Sequence, residues 1–267
     1  MKLLLRQLLR QIAGTSTGNR LYRRVVTSLA WHLVETDREI CRRVSPERQV
    51  LGGPFRDLKY PSWETSGSVL AAKLIGSYEA ELQCSIEHCL QTDYSDVLNI
   101  GCGDGYYAVG MARRLPKTKV HAFDCDPRAA DQCRQMALIN GVADRVNTHG
   151  ACTPEILKAM ECGPQVLIIS DCEGAELDLL KLENLRFPSW DMIVECHVVG
   201  TIETWKIMAE RFAQTHELTR LQTSSRDAVG YPPLANLSKG EQLIALSELR
   251  AGDMTWLMLR MRPRRPA

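Results

Sequence analysis

From Asp96 onward, short apolar runs alternate with helical stretches, and this alternation most narrows the folds open to the chain. The candidate strands are Val97–Ile100, Lys119–Phe123, Arg145–Thr148, Gln165–Ser170 and Met192–Glu195. Short apolar runs separated by helices are the pattern of βαβ units, and those units build a parallel sheet. Two intervening helices carry clear start signals. Asp126 precedes Pro127, and Thr153 precedes Pro154, so each pair offers a capping side chain followed by a proline at the first helical position. Asn140-Gly141 supplies a stop. Two later strands, near Leu218–Leu221 and Thr255–Arg260, complete the sheet, with a loop and helix over 223–253. The expected fold class is α/β, a Rossmann-like sheet with helices on both faces.

The chain ahead of Asp96 reads differently. Residues 3–12 and roughly 20–44 show helical periodicity, with Leu21, Val25, Leu29, Leu33 and Ile40 spaced three or four apart or at multiples of that step. Gly-Gly-Pro at 52–54 and Tyr60-Pro61-Ser62 suggest a loop-rich linker, and a third helix is expected from Ser68 to Leu90, with Leu70, Leu74, Tyr78, Leu82 and Ile86 on one face. This divides the chain into a basic helical extension (1–60), one α/β domain (61–262) and a basic tail (263–267). A basic amphipathic helix serves either as a packing appendage or as a peripheral membrane contact, and packing is the favoured reading. Arg6 and Arg10 interrupt the leading apolar run, and no 18-residue apolar stretch follows, so neither a signal peptide nor a membrane span is expected.

The net charge of +1 hides an uneven distribution: residues 1–48 hold ten Lys/Arg against four Asp/Glu, and the last eight residues hold four Arg. The body between is acidic. A nucleic-acid-tracking face needs a continuous basic patch, so no nucleic-acid partner is expected. The ten cysteines include no C-x-x-C pair. Several, such as Cys102, Cys125, Cys172 and Cys196, lie in or just after apolar runs, which points to small buried hydrophobes in a reducing, cytoplasmic setting.

The chemistry concentrates in three motifs. Val97-Leu-Asn-Ile-Gly101-Cys102-Gly103-Asp-Gly105-Tyr-Tyr runs from a buried strand through a glycine-rich turn into a helix, where bare backbone can meet a cofactor. The spacing is G-x-G-x-G, with Tyr106 where a dinucleotide fingerprint carries its third glycine, and this favours S-adenosylmethionine over a pyrophosphate. The next strand ends in Asp124, 19 residues after Gly105, where a carboxylate accepts ribose hydroxyls; Asp126 is read as a helix cap. Gly150-Ala-Cys152 follows the third strand, where an adenine-contacting loop is expected. The third motif is Asp171-Cys-Glu173-Gly-Ala-Glu176 after the fourth strand, matched by Glu195-Cys-His197 after the fifth. Glu173 complements a helix N-terminus, Glu176 reads as a solvated helix residue, and period-2 alternation puts Glu195 and His197 on one side.

Together these motifs resemble the FkbM-type methyltransferases, a branch of the class I adenosylmethionine-dependent enzymes. Ile75-Gly-Ser-Tyr-Glu79 is similar to a segment upstream of the glycine turn in that family, and Glu248-Leu-Arg250 with Met254-Thr-Trp256 is similar to its C-terminal end. The likeness covers about residues 65–260. It implies a seven-stranded sheet with the last strand antiparallel, and methyl transfer to a hydroxyl oxygen of a sugar, glycan or secondary metabolite. It places Gly101, Gly103, Gly105 and Asp124 on the cofactor and Asp171, Glu173 and His197 near the acceptor; by their positions at the same strand ends, Cys102, Cys152 and Asp171 are also expected to meet the cofactor. Glu79 lines the methionine end or is a helix-surface acid.

An alcohol acceptor must lose a proton, so Asp171, Glu195 and His197 form the expected catalytic set, with His197 as general base. The same three side chains are acceptable ligands for a divalent metal, which the sequence leaves open, as it does the acceptor and the oligomeric state. Two rivals come from other classes. A nicotinamide-dependent oxidoreductase is disfavoured by the glycine spacing, and an inactive cofactor-binding scaffold by the acid and imidazole edge.

Overall fold

The computed structural model of the chain describes residues 32–66, 68–185, 190–248, 252 and 254–262. The helix expected at 3–12, the first part of that at 20–44, with the membrane contact considered for them, and the basic tail lie outside these. Helix α1 occupies 32–44. It is followed by α2 (Leu70–Ile75), α3 (Gln83–Cys89), β1 (Asp96–Ile100), α4 (Tyr106–Arg114), β2 (Lys119–Phe123), α5 (Pro127–Ile139), β3 (Val146–His149), α6 (Pro154–Ala159), β4 (Val166–Ser170) and α7 (Glu176–Leu179). Then come β5 (Asp191–Glu195), a small hairpin of β6 (Val198–Val199) and β7 (Ile202–Glu203), α8 (Thr204–Phe212), β8 (His216–Gln222), α9 (Lys239–Leu246) and β9 (Thr255–Met261).

Seven strands form one sheet in the order β3-β2-β1-β4-β5-β9-β8. The first five are parallel, while β9 is antiparallel to both β5 and β8. This is the Rossmann-like arrangement with a last antiparallel strand. Every residue of β1 and of β4 is buried, because helices cover both faces of a parallel sheet. One face packs Val97, Val109, Ala122 and Leu167; the other packs Leu98, Ile168, Trp190 and Phe212. The caps form as expected: Asp126 accepts from the Arg128 amide at 2.9 Å, and Thr153 from the Ile156 amide at 3.3 Å.

Register decides where the site sits. Ile100 lies beside Phe123 and Ser170, and Ser170 beside Val194, so the residues that follow β1, β4 and β5 emerge side by side. The strand order reverses between β1 and β4, which opens a crevice at the carboxyl edge.

Two expectations need correction. The single helix over Ser68–Leu90 is broken: α2 ends at Gly76, whose φ of 82° turns the chain, and α3 begins only at Gln83. A Cβ on Gly76 would stand 2.3 Å from the Gly52 carbonyl carbon, so the break is built into the packing. Nor is Gly52–Tyr60 a free linker. Ile40, Val50, Phe55, Leu58 and Tyr60 belong to the same apolar cluster as Val97 and Tyr106. Asp37 accepts the Leu70 and Ala71 amides at 3.1 and 3.2 Å, capping α2. A boundary at residue 60 therefore crosses a continuous core. Among the cysteines, Cys102 and Cys196 are buried as expected, but Cys125 is exposed, since it sits in the turn between β2 and the Asp126 cap.

Candidate active site

The crevice holds a cavity of about 210 Å³ whose walls include Gly101, Cys102, Gly103, Asp104, Asp124 and Asp171. Its floor is the end of β1, where the Gly101 amide donates to the Phe123 carbonyl at 2.9 Å and the Asp171 amide to the Ile100 carbonyl at 2.9 Å. Gly101 has φ 77°, and a Cβ there would lie 1.6 Å from the Asp171 carbonyl oxygen. No side chain fits. The turn and the start of the acidic motif are thus locked backbone to backbone.

Asp124 accepts the Gly103 amide at 2.8 Å through one carboxylate oxygen and the Asp126 amide at 2.9 Å through the other. A carboxylate offers about four acceptor positions, so two remain for a ribose diol. Tyr78, Tyr106 and Tyr107 line the cavity as well. Acids and aromatic faces around a glycine cradle suit a cationic nucleoside sulfonium. Cys152, expected at the adenine, packs against the apolar cluster behind β4 and is not among the residues lining the cavity.

At the edge formed by β4 and β5, the acids and the imidazole meet. The His197 Nδ1 lies 3.0 Å from Glu176 Oε1, while its Nε2 lies 3.7 Å from Asp171 Oδ1 and 3.4 Å from Glu173 Oε2. Glu176, read from sequence as a solvated helix residue, is fully buried. Its Oε1 also accepts the Cys172 and Gly174 amides at 3.2 and 3.3 Å, because the first residue of α7 folds back under the turn that precedes it. Burial disfavours its charged form, but the His197 hydrogen bond and the backbone amides outweigh this and hold its pKa below the usual value. An ionised Glu176 only accepts, so Nδ1 carries a proton, and in the neutral imidazole Nε2 keeps its lone pair. The hydrogen bond to Glu176 raises the His197 pKa above 6.5, against the opposing effect of burial.

Burial pushes the Asp171 carboxyl up to about 6, with a hydrogen bond to Glu195 pulling the other way and the nearby charge of Glu79 adding to the rise. Glu195, expected in the catalytic set, is 2% exposed and meets Asp171 from behind. Asp171, Glu173 and His197 place one donor atom each within 4.8 Å of one another, so Glu173 takes the place expected for Glu195 in a metal-compatible group. Glu173 itself stands at φ 54° with its side chain exposed.

Glu79 is no helix-surface acid. It is 1% exposed, sits at φ 46°, and accepts a short hydrogen bond from the Tyr107 hydroxyl. Its amide donates to Glu248 Oε1 at 2.9 Å, and Glu248 pairs with Arg226 at 2.6 Å. Arg226 also pairs with Glu81 at 2.9 Å, so a buried charge cluster holds the Glu79 turn from the side of residues 223–248. The sequence reading missed that cluster and also a buried ion pair in the cavity wall, Lys73 Nζ to Asp104 Oδ2 at 2.6 Å. A lone lysine inside the apolar run Leu-Ala-Ala-Lys73-Leu-Ile was the available signal, since lysine is almost never buried without a partner.

No helix among the described residues is long and apolar enough to cross a membrane. Among curated proteins, no sequence relative matches. Among solved structures the chain is similar to a candidate O-methyltransferase from Klebsiella pneumoniae, at 15% identity over 86% of this chain and 88% of that one, with a TM-score of 0.46. It is also similar to the O-methyltransferase TomG from Streptomyces achromogenes in complex with S-adenosylmethionine, at 16% identity over 69% of this chain and 81% of that one, TM-score 0.44. A third similarity is to precorrin-6y C5,15-methyltransferase from Geobacter metallireducens, at 13% identity over 68% and 88%, TM-score 0.47. The family model described as a methyltransferase domain matches residues 97–156, from β1 into α6, a match to the general domain and not to the FkbM branch. With its sheet order and antiparallel β9, the chain has a class I methyltransferase fold, for which the cofactor is S-adenosylmethionine.

Proposed function

We propose that the protein is an S-adenosylmethionine-dependent O-methyltransferase acting on a hydroxyl of a small molecule or glycan, with His197 as general base. The observation that carries this reading is the His197 contact set: Nδ1 on a buried carboxylate, Nε2 turned toward Asp171 at the end of the cofactor cavity. The bound cofactor supplies an electrophilic methyl carbon, and in-line transfer then depends mainly on alignment. Gly101, Gly103 and Gly105 give the cradle its shape, and Asp124 is the ribose acceptor. His197 Nε2 takes the acceptor's proton as the oxygen attacks, and Glu176 keeps the imidazole in the tautomer that can do so. A positioned base of this kind contributes about a hundredfold or more. Asp171, flanked by Glu195, is placed to hydrogen-bond the acceptor, and Glu79 stands behind the tyrosines at the same end.

A second reading is favoured by one observation, the convergence of Asp171, Glu173 and His197 within 4.8 Å. A divalent ion held there would acidify the acceptor hydroxyl in place of the imidazole. The test is transfer of a labelled methyl group from the cofactor into a cell extract, with the product identified and the assay repeated in chelator. Label on a hydroxyl that is unaffected by chelator supports the base. Loss of transfer in chelator with recovery on adding a divalent ion supports the metal. Label confined to nitrogen or carbon overturns the proposal of O-methylation.

A further inference from the structure

The opposite edge of the sheet carries a second convergence of donors, one that methyl transfer does not use. Asp96 opens β1, His121 is the third residue of β2, and Cys162 lies in the loop between α6 and β4. The sheet order places β2, β1 and β4 side by side, so three segments distant in sequence meet at the amino edge. One donor atom from each lies within 4.8 Å of the others.

We infer that Asp96, His121 and Cys162 form a binding site for a thiophilic divalent cation of the zinc type, separate from the methyl-transfer site. Three observations support it. The His121 side chain is 14% exposed, with both ring nitrogens shut off from solvent, and neither nitrogen makes a hydrogen bond among the described residues. Ring nitrogens removed from water without a hydrogen bond keep donor and acceptor capacity that a ligand can satisfy. Its Nε2 stands 3.4 Å from Asp96 Oδ1. Nitrogen and oxygen ligands about 2.0–2.2 Å from a tetrahedral zinc lie about 3.3–3.5 Å apart, so this pair already has the spacing of two ligands on one ion. The remaining oxygen of Asp96 accepts the Gly163 amide at 2.8 Å, which orients the carboxylate and ties the residue next to Cys162 against it.

The donor set selects the cation. Calcium and magnesium take oxygen ligands only, whereas a thiolate, an imidazole and a carboxylate suit zinc, with a fourth position left for water. His121 stacks on His149, whose ring centroid is 5.7 Å away, and His149 stacks on Phe123 at 4.7 Å, so packing supports one face of the His121 ring. Binding deprotonates the Cys162 thiol and releases a proton, so affinity should fall as the pH is lowered.

The test is titration of the full chain with cobalt(II) under reducing conditions, as a spectroscopic stand-in for zinc. The expected result is a thiolate-to-cobalt charge-transfer band that saturates at one equivalent and is displaced by zinc. Cys162→Ser should abolish the band, His121→Asn should weaken cobalt binding by about ten- to a hundredfold or more, and His197→Asn should leave the band unchanged. A folded wild-type chain without the band, or a band that survives Cys162→Ser, overturns the inference. Should Cys162→Ser fail to fold, X-ray absorption of the zinc-loaded wild type decides: one sulfur among nitrogen and oxygen neighbours supports the site, and a shell without sulfur removes it. Because none of these readouts involves methyl transfer, failure here leaves the catalytic proposal standing, and the reverse also holds.

Discussion

The glycine turn after β1 and the acid and imidazole edge after β4 and β5 lie against each other, yet they are built by different means. The turn is made of backbone: Gly101 is admitted because a Cβ would collide with the Asp171 carbonyl, and its neighbours follow within five residues. The edge is made of side chains drawn from positions 171 to 197, and its geometry depends on Glu176 being buried under its own turn. At Gly101 the backbone leaves no room for a side chain. A side-chain network, by contrast, can be altered one member at a time.

That contrast can be broken most severely at the turn. Gly101→Ala should cost about 3 kcal/mol or more, because it combines a positive φ with a backbone collision, and should lower the thermal midpoint by roughly 6–12 °C. A midpoint within a degree of wild type would show that the turn can move aside. At the edge, His197→Ala should reduce turnover about a hundredfold with cofactor affinity unchanged. Turnover and titration calorimetry on the same preparation test the separation, and a parallel loss of cofactor binding would assign His197 to the cradle instead. Asp124→Ala should do the opposite, weakening cofactor binding about ten- to a hundredfold through loss of charge-assisted hydrogen bonds worth roughly 1.5–3 kcal/mol. Wild-type affinity in the folded variant would remove Asp124 from the ribose.

Two smaller effects sharpen the comparison. Asp126→Ala should cost about 1 kcal/mol of stability, the worth of a helix cap, and leave turnover alone. Glu176→Gln tests orientation. A base acts when neutral, so the rate should rise with pH through a His197 pKa that lies above 6.5, since the hydrogen bond to Glu176 raises it. Replacing the carboxylate by an amide removes that cause and should move the limb to lower pH. A pH profile of kcat unchanged between wild type and Glu176→Gln would mean that His197 does not titrate in the rate.

Much of the frame was legible in advance. The seven strands of the main sheet lie within two residues of their expected bounds, the small β6–β7 hairpin carries no signal in the sequence reading, and Asp126 and Thr153 cap their helices as expected. The division of the chain was less legible. A run such as Gly52-Gly53-Pro54 looks like a linker from composition alone, and only the packing of Phe55, Leu58 and Tyr60 against the sheet shows that it belongs to the core. The helix through 68–90 kept its apolar face, yet the break at Gly76 was not visible, because it answers to contact with Gly52, 24 residues earlier.

By itself the sequence determined the alternation of strands and helices, the glycine cradle, the Asp124 position and the chemical types gathered at the carboxyl edge. All of these rest on periodicity, caps and φ preferences, which act over a few residues. Tertiary structure alone decided that Glu176 touches His197, that Glu173 rather than Glu195 completes the acid group, and that Glu79 is buried beneath Tyr107. It alone brought Asp96, His121 and Cys162 together. The physical reason is the same in each case. Burial and hydrogen bonding belong to whatever the folded chain places opposite a side chain, and residues far apart in sequence carry no local pattern that announces their meeting.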